Sequence, residues 1–259
     1  MLKIAFLSKF VQWGALLIYY LLWFLFLFSL DNHRKAGILN SSPTKQEGTM
    51  SEFRTQTQQV YAFLKDAIYN CRYLPGQEIS EKQLYDELPY GRTPIRETLL
   101  QLQKEDLVEI YPRKGMRVTP ITGELVSNLY QTRKLIEPAI ASSYCPLYSK
   151  EKLMEYRQGF PKAAADSDSS FYRMDIEFHT YLVSVANNRM LNELFNNLMQ
   201  HQYRMAIYAA MQGKTDRTQN VDEHERILRA LLTEERDEVR AAIKSHINTS
   251  MISLMQALL

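Results

Sequence analysis

Apolar residues at Val60, Phe63, Leu64, Ala67 and Ile68 recur with the i, i+3, i+4 spacing of one helix face, and Pro75-Gly76 then breaks the chain. Ser80 and Gln83 have the spacing of a capping box for a short helix through Leu88. A second apolar stripe, Ile95, Leu99, Leu102 and Leu107, predicts another helix, with Thr93 read as its N-cap and Pro94 as its first residue. The period then changes to two. Val108, Ile110, Met116 and Val118 alternate with polar neighbours around Pro112-Arg113-Lys114-Gly115, the pattern of a β-hairpin with a charged tip. Helices closed by a basic hairpin outline a winged helix-turn-helix over residues 50–121.

Beyond Pro120 the helical period holds to the end. Thr122 can cap a helix carrying Leu125, Leu129, Ile136 and Ile140, which Pro138 should kink. Further helices are expected over 150–164, 171–186, 190–211, 221–232 and 237–258, with Asn187-Asn188 as a stop. The fold is therefore mainly α: an N-terminal winged module and a C-terminal all-helical bundle over 122–259.

Charge changes this picture only through position. Residues 50–121 hold ten Lys or Arg and ten Asp or Glu, so no net positive field marks the winged module. Arg92 and Arg96, in or just before the first turn of the capped helix, its cap Thr93, and Arg113, Lys114 and Arg117 of the hairpin form the candidate DNA-binding face. Arginine suits it, because its planar fork can hold a guanine edge or a phosphate. The whole chain of 259 residues is 46% hydrophobic and 23% charged, the range of globular proteins long enough to bury two cores. Its two cysteines, Cys71 and Cys145, have no metal-type spacing and suit a reducing compartment.

Four side chains of the bundle carry chemistry by spacing. Asp175 and His179 stand four apart on one helix face. His224 and His246 lie on two consecutive helices whose turn is expected near Glu234-Glu235, midway between them, so an antiparallel hairpin brings the two imidazoles to one height. One carboxylate and three imidazoles make an N/O site for Zn²⁺, Ni²⁺, Mn²⁺ or Fe²⁺. Taken singly, each histidine is equally an ordinary helix residue.

The winged region resembles the GntR family of bacterial transcription regulators. The resemblance rests on Pro75-Gly76, Ile79-Ser80-Glu81, Leu84, Arg92-Thr93-Pro94-Ile95-Arg96-Glu97, Leu99, Leu102, Leu107-Val108 and Gly115. It departs at Gly91, where that family usually has a serine. Residues 122–255 resemble the FCD domain of the FadR-like subfamily through Asp175-x-x-Phe178-His179, His224 with Ile227 and Leu228, and His246. That resemblance implies that Asp175, His179, His224 and His246 are metal ligands. It also implies that Arg133 faces an effector cavity, while Glu137 is more often structural. Its usual Gly-Asp at the last turn is replaced by Glu235-Arg236-Asp237.

Residues 10–30 carry no charge and are long enough to span a bilayer. Two readings stand: a membrane anchor, and a start codon assigned too far upstream. The second is preferred, because Met50 begins a complete GntR-like N-terminus and Gln46-Glu47-Gly48-Thr49 back-translates to permit a ribosome-binding sequence. Residues 1–49 would then have no function.

The sequence thus predicts a cytoplasmic, homodimeric repressor that binds an inverted repeat in duplex DNA and is released by a small organic acid. The acid is expected at the metal, gripped by Arg133 and lined by Tyr130, Tyr203 and Arg204. Other readings are an inner-membrane-anchored regulator and a metal-dependent hydrolase, the latter lacking a general-base motif beside the ligands.

Overall fold

The computed structural model describes residues 55–258, all within one compact unit. The apolar stretch at 10–30 and the choice between Met1 and Met50 lie outside them. No helix among the described residues is long and apolar enough to cross a membrane.

Helix α1 (Gln56–Tyr69) starts at a Thr55–Gln58 capping box, and its stripe Val60, Leu64, Ala67 and Ile68 is buried. Strand β1 (Glu78–Ser80) leads into α2 (Glu81–Glu87) through the Ser80–Gln83 capping box. Helix α3 (Arg92–Lys104) buries Ile95, Thr98, Leu99 and Leu102 against α1. Its start corrects the sequence reading. Gly91 is the N-cap, with no side-chain bond, so Thr93 and Pro94 lie inside the first turn. Pro94 fits there because none of the first four N–H groups of a helix has an intrahelical acceptor.

Strands β2 (Val108–Tyr111) and β3 (Gly115–Val118) pair antiparallel, Val108 opposite Val118 and Ile110 opposite Met116. Strand β1 pairs with the other edge of β3, giving the order β1-β3-β2. This third strand was not foreseen, because three residues are too few to show a period. It makes Gly115 obligatory. Gly115 has φ 129°, and a Cβ there would meet the Ile79 carbonyl oxygen at 2.1 Å.

Six helices complete the chain: α4 (Gly123–Ser143), α5 (Lys150–Asp166), α6 (Asp168–Ser184), α7 (Arg189–Met211), α8 (Arg217–Thr233) and α9 (Arg236–Ala257). A short 3₁₀ turn, Cys145–Leu147, links α4 to α5. Side-chain caps from Thr122, Ser149, Ser167, Asn188 and Asp216 start five of the six, each worth about 1 kcal/mol. Helix α4 continues through Pro138 to Ser143. Its buried stripe is Val126, Leu129, Tyr130, Arg133, Glu137 and Ala141, while Leu125, Ile136 and Ile140 are only half-buried. The apolar pattern misses this stripe because two of its members are charged.

Between α8 and α9 the chain reverses in two residues. Glu234 takes the left-handed conformation, φ 58°, and Glu235 caps α9. Helix α9 packs on α4 and α8, α6 on α5 and α7, and α7 reaches α1 of the winged part. A core of Phe160, Phe171, Phe178, Ile227, Ile243 and Ile247 surrounds the polar residues of α4, α6, α8 and α9.

Candidate metal centre and DNA-reading face

The tight α8–α9 turn aligns His224 and His246 as the midpoint rule requires, and α6 brings Asp175 and His179 to the same place. One donor atom from each of the four lies within 4.8 Å of the others, and all four residues are buried. Phe160 stacks on His224 at 4.1 Å between centroids, and Phe178 meets it edge-on, which fixes that ring.

Each imidazole is held from outside the cluster. His179 Nδ1 lies 2.6 Å from Glu137 Oε2, His224 Nδ1 lies 2.7 Å from the Asn220 carbonyl, and His246 Nδ1 lies 2.9 Å from Glu223 Oε2. All three partners are acceptors, so each Nδ1 carries the proton and each Nε2 presents a lone pair. Those lone pairs converge. His179 Nε2 and His246 Nε2 are 3.1 Å apart, and His224 Nε2 is 3.0 Å from Asp175 Oδ1. Lone pairs facing one another and a carboxylate repel, and a cation held between them would reconcile the four donors. The set therefore fits a borderline-hard divalent ion of the kind imidazole and carboxylate favour.

The electrostatics agree. Burial lowers His179 and lowers His246 well below the ordinary histidine value, which keeps both neutral and ready to coordinate. Burial opposes ionisation of Glu137, but the Arg133 charge, with the hydrogen bond from His179 Nδ1, outweighs it and holds the carboxyl at about 2. Glu137 therefore remains an anion that can orient His179. Sequence reasoning did not assign roles to Glu223 or to the Asn220 carbonyl. Glu223 could have been sought as a carboxylate beside a candidate ligand, whereas a carbonyl leaves no trace in the sequence.

The expected effector residues separate. Tyr130 lines a cavity of about 50 Å³ that borders Asp175. Arg133 does not line that cavity, and its guanidinium is paired with both Glu137 oxygens because the two stand one turn apart on α4. Tyr203 and Arg204 do not line that cavity either. Tyr203 donates to Asn70 Oδ1, and Arg204 Nη1 donates to the Thr119 carbonyl at 3.1 Å, so both face the winged part and the connection to α4. Helical spacing says which residues share a face but not which neighbour covers it.

On the winged part, Arg92, Thr93 and Arg96 are exposed at the start of α3, and Arg113 and Lys114 are exposed at the hairpin tip. The Arg92 guanidinium rests over the Tyr85 ring at 5.7 Å. Arg117 differs: it is half-buried, stands opposite Glu78 and Glu109 in the sheet register, and its Nε donates to the Gly76 carbonyl.

Comparison with known proteins gives the same two parts. Residues 56–118 match the family described as bacterial regulatory proteins, gntR family, and residues 128–249 match the FCD domain. The HTH-type transcriptional regulator YdhC of Bacillus subtilis is 25% identical over 198 residues, covering 73% of this chain and 87% of that protein. The HTH-type transcriptional repressor RspR of Escherichia coli K12 is 25% identical over 203 residues, covering 77% and 89%. A GntR transcriptional regulator of Rhodococcus sp. RHA1 has the same fold, with a TM-score of 0.66 at 20% identity, covering 78% of this chain and 99% of that one.

Proposed function

Because this chain belongs to the GntR family of bacterial regulatory proteins and joins a DNA-binding winged module to an FCD domain, we propose that it is a metal-dependent, effector-controlled repressor. Its relatives are transcription regulators rather than enzymes. In this reading residues 50–121 bind the operator and residues 122–259 bind the effector and a second copy of the chain. Two copies read a short inverted repeat, Arg92, Thr93 and Arg96 meeting base edges and phosphates while Arg113 and Lys114 follow the backbone. Two buried free cysteines suit a cytoplasmic protein.

The observation that carries the control mechanism is the convergence of three histidine Nε2 lone pairs and an Asp175 oxygen on one point. Asp175, His179, His224 and His246 would hold one divalent ion, and that ion would supply a positive centre for the carboxylate of a small organic acid. Tyr130 borders the cavity where the acid would lie. Arg133 acts one step back: it fixes Glu137, which fixes the ring of His179. An acid bound there releases DNA only by binding more tightly when the winged modules are poorly placed on the operator.

The test is a mobility-shift titration on operator DNA selected from genomic fragments, with protein purified without chelator or nickel resin. Arg96→Ala should abolish specific binding, and His224→Ala should lose the metal by elemental analysis together with release by acid extracts. Full release of the metal-free protein would overturn the role of the ion.

A further inference from the structure

Gly91 leaves the start of α3 with no capping side chain, and Arg92 is the first residue of the helix. The helix itself is seated by polar bonds to α1. Thr57 Oγ1 donates to Glu97 Oε2 at 2.9 Å, Thr98 Oγ1 donates to the Thr57 carbonyl at 3.2 Å, and Tyr90, in the turn before α3, donates to Gln59 Oε1 at 2.7 Å. These bonds fix the backbone and leave the direction of the exposed Arg92 side chain open. The Tyr85 ring sets it. Tyr85 stands half-buried on α2, packed against the winged core, and its ring faces the Arg92 guanidinium at 5.7 Å, within the range of a cation–π contact.

The kind of partner decides what the arginine can still do. A carboxylate would occupy the guanidinium fork and cancel its charge, as Glu137 does to Arg133. Two carboxylates of α2 and α3 are engaged elsewhere, Glu87 by Tyr73 and Glu97 by Thr57. A ring face carries no net charge, so it steadies the guanidinium while leaving it a full cation with its in-plane donors available. An arginine held in advance loses less rotamer freedom when it meets DNA. We propose that Tyr85 is a positioning residue for DNA recognition, holding Arg92 in the direction from which it contacts the operator. This rests on the reading of Arg92 as an operator contact.

A double-mutant cycle on the full chain tests this, with operator affinity measured by mobility shift at fixed salt and a melting temperature recorded for every variant. Arg92→Ala should weaken operator binding. Tyr85→Leu, which keeps an apolar helix-forming side chain and removes the ring, should weaken it roughly 2- to 5-fold for each half-site, the worth of one exposed cation–π contact. Tyr85→Met should do the same, and Tyr85→Phe, which keeps the ring face, should bind like wild type. In the Arg92→Ala background Tyr85→Leu should cost nothing further, whereas a residue that only packs α2 would cost the same in both backgrounds. Equal costs in the two backgrounds, full affinity in Tyr85→Leu and Tyr85→Met, or a loss in Tyr85→Phe matching that in Tyr85→Leu would overturn the role of Tyr85 and leave Arg92 on the operator. Unchanged affinity in Arg92→Ala would overturn both.

Discussion

Glu223 immediately precedes His224 on α8, yet its carboxylate serves the other histidine of the hairpin, lying 2.9 Å from Nδ1 of His246 on α9. One short stretch of α8 thus presents a ligand candidate and the group that orients a second. Removing that carboxylate frees the His246 ring and its tautomer. Glu223→Gln should weaken zinc binding roughly 10- to 100-fold, the usual effect of losing such a partner. Competition against a chromophoric chelator measures this, and an unchanged dissociation constant would deny Glu223 its orienting role.

The wing arginines should divide by their surroundings. Arg113 and Lys114 project from the tip, whereas Arg117 is half-buried and tied to Gly76. Each tip residue that contacts a phosphate should, when changed to alanine, reduce the slope of log K against log salt by about 0.9. Arg117→Ala should leave the slope unchanged and lower stability instead. Equal slopes for wild type and the Arg113→Ala, Lys114→Ala double variant would remove the tip from the DNA contact.

Much of this arrangement was legible because its signals are local. Helix spans, the Ser80 and Thr122 caps and the reversal at Glu234-Glu235 follow from spacing within a few residues, and that reversal sufficed to pair His224 with His246. What escaped is set by tertiary context. Thr93 looks like a cap, but Gly91 already has the extended backbone a cap requires, and the helix starts two residues earlier than the reading allowed. Arg133, Tyr203 and Arg204 have the chemistry of ligand contacts. Their partners, Glu137, Asn70 and the Thr119 carbonyl, are fixed by how α4 and α7 pack.

Gly115→Ala tests the sheet. The left-handed backbone would be strained by roughly 1–3 kcal/mol in any other residue, and the new methyl would collide with the Ile79 carbonyl. Strand β1 should detach from β3, visible as faster amide exchange at Ile79 and Met116. A variant with unchanged melting temperature and exchange would contradict the close approach.

Acid should expose His201. It lies on α7 toward the winged part, and burial first, then the Arg204 charge, lowers its pKa from 6.5. The folded state therefore resists a proton that the unfolded chain accepts, so this contribution to stability is complete above about pH 6.5 and declines as pH falls below it. In zinc-loaded protein, the melting temperature of His201→Gln should fall less between pH 7.5 and 5.5 than that of wild type. Parallel curves would show that His201 does not titrate in this way.

Arg204 poses a contest between two opposed terms. Its side chain is fully buried, its Nη1 reaches the Thr119 carbonyl, and Nε and Nη2 have no partner. Losing one charged hydrogen bond costs about 1.5–3 kcal/mol. Burying a cation without a counter-charge costs several kcal/mol, and a methionine of similar length would relieve it. Relief should outweigh the lost bond, so Arg204→Met should melt at the same temperature as wild type or higher. It should also loosen the link between α7 and residue 119, where the winged part meets α4. The response of operator affinity to zinc should shrink accordingly. A variant that melts several degrees lower would mean that Arg204 is paired in solution, and an undiminished zinc response would mean that coupling runs through other contacts, such as Tyr69 with Gln200, Asn70 with Tyr203 and the Cys71 thiol with the Arg204 carbonyl.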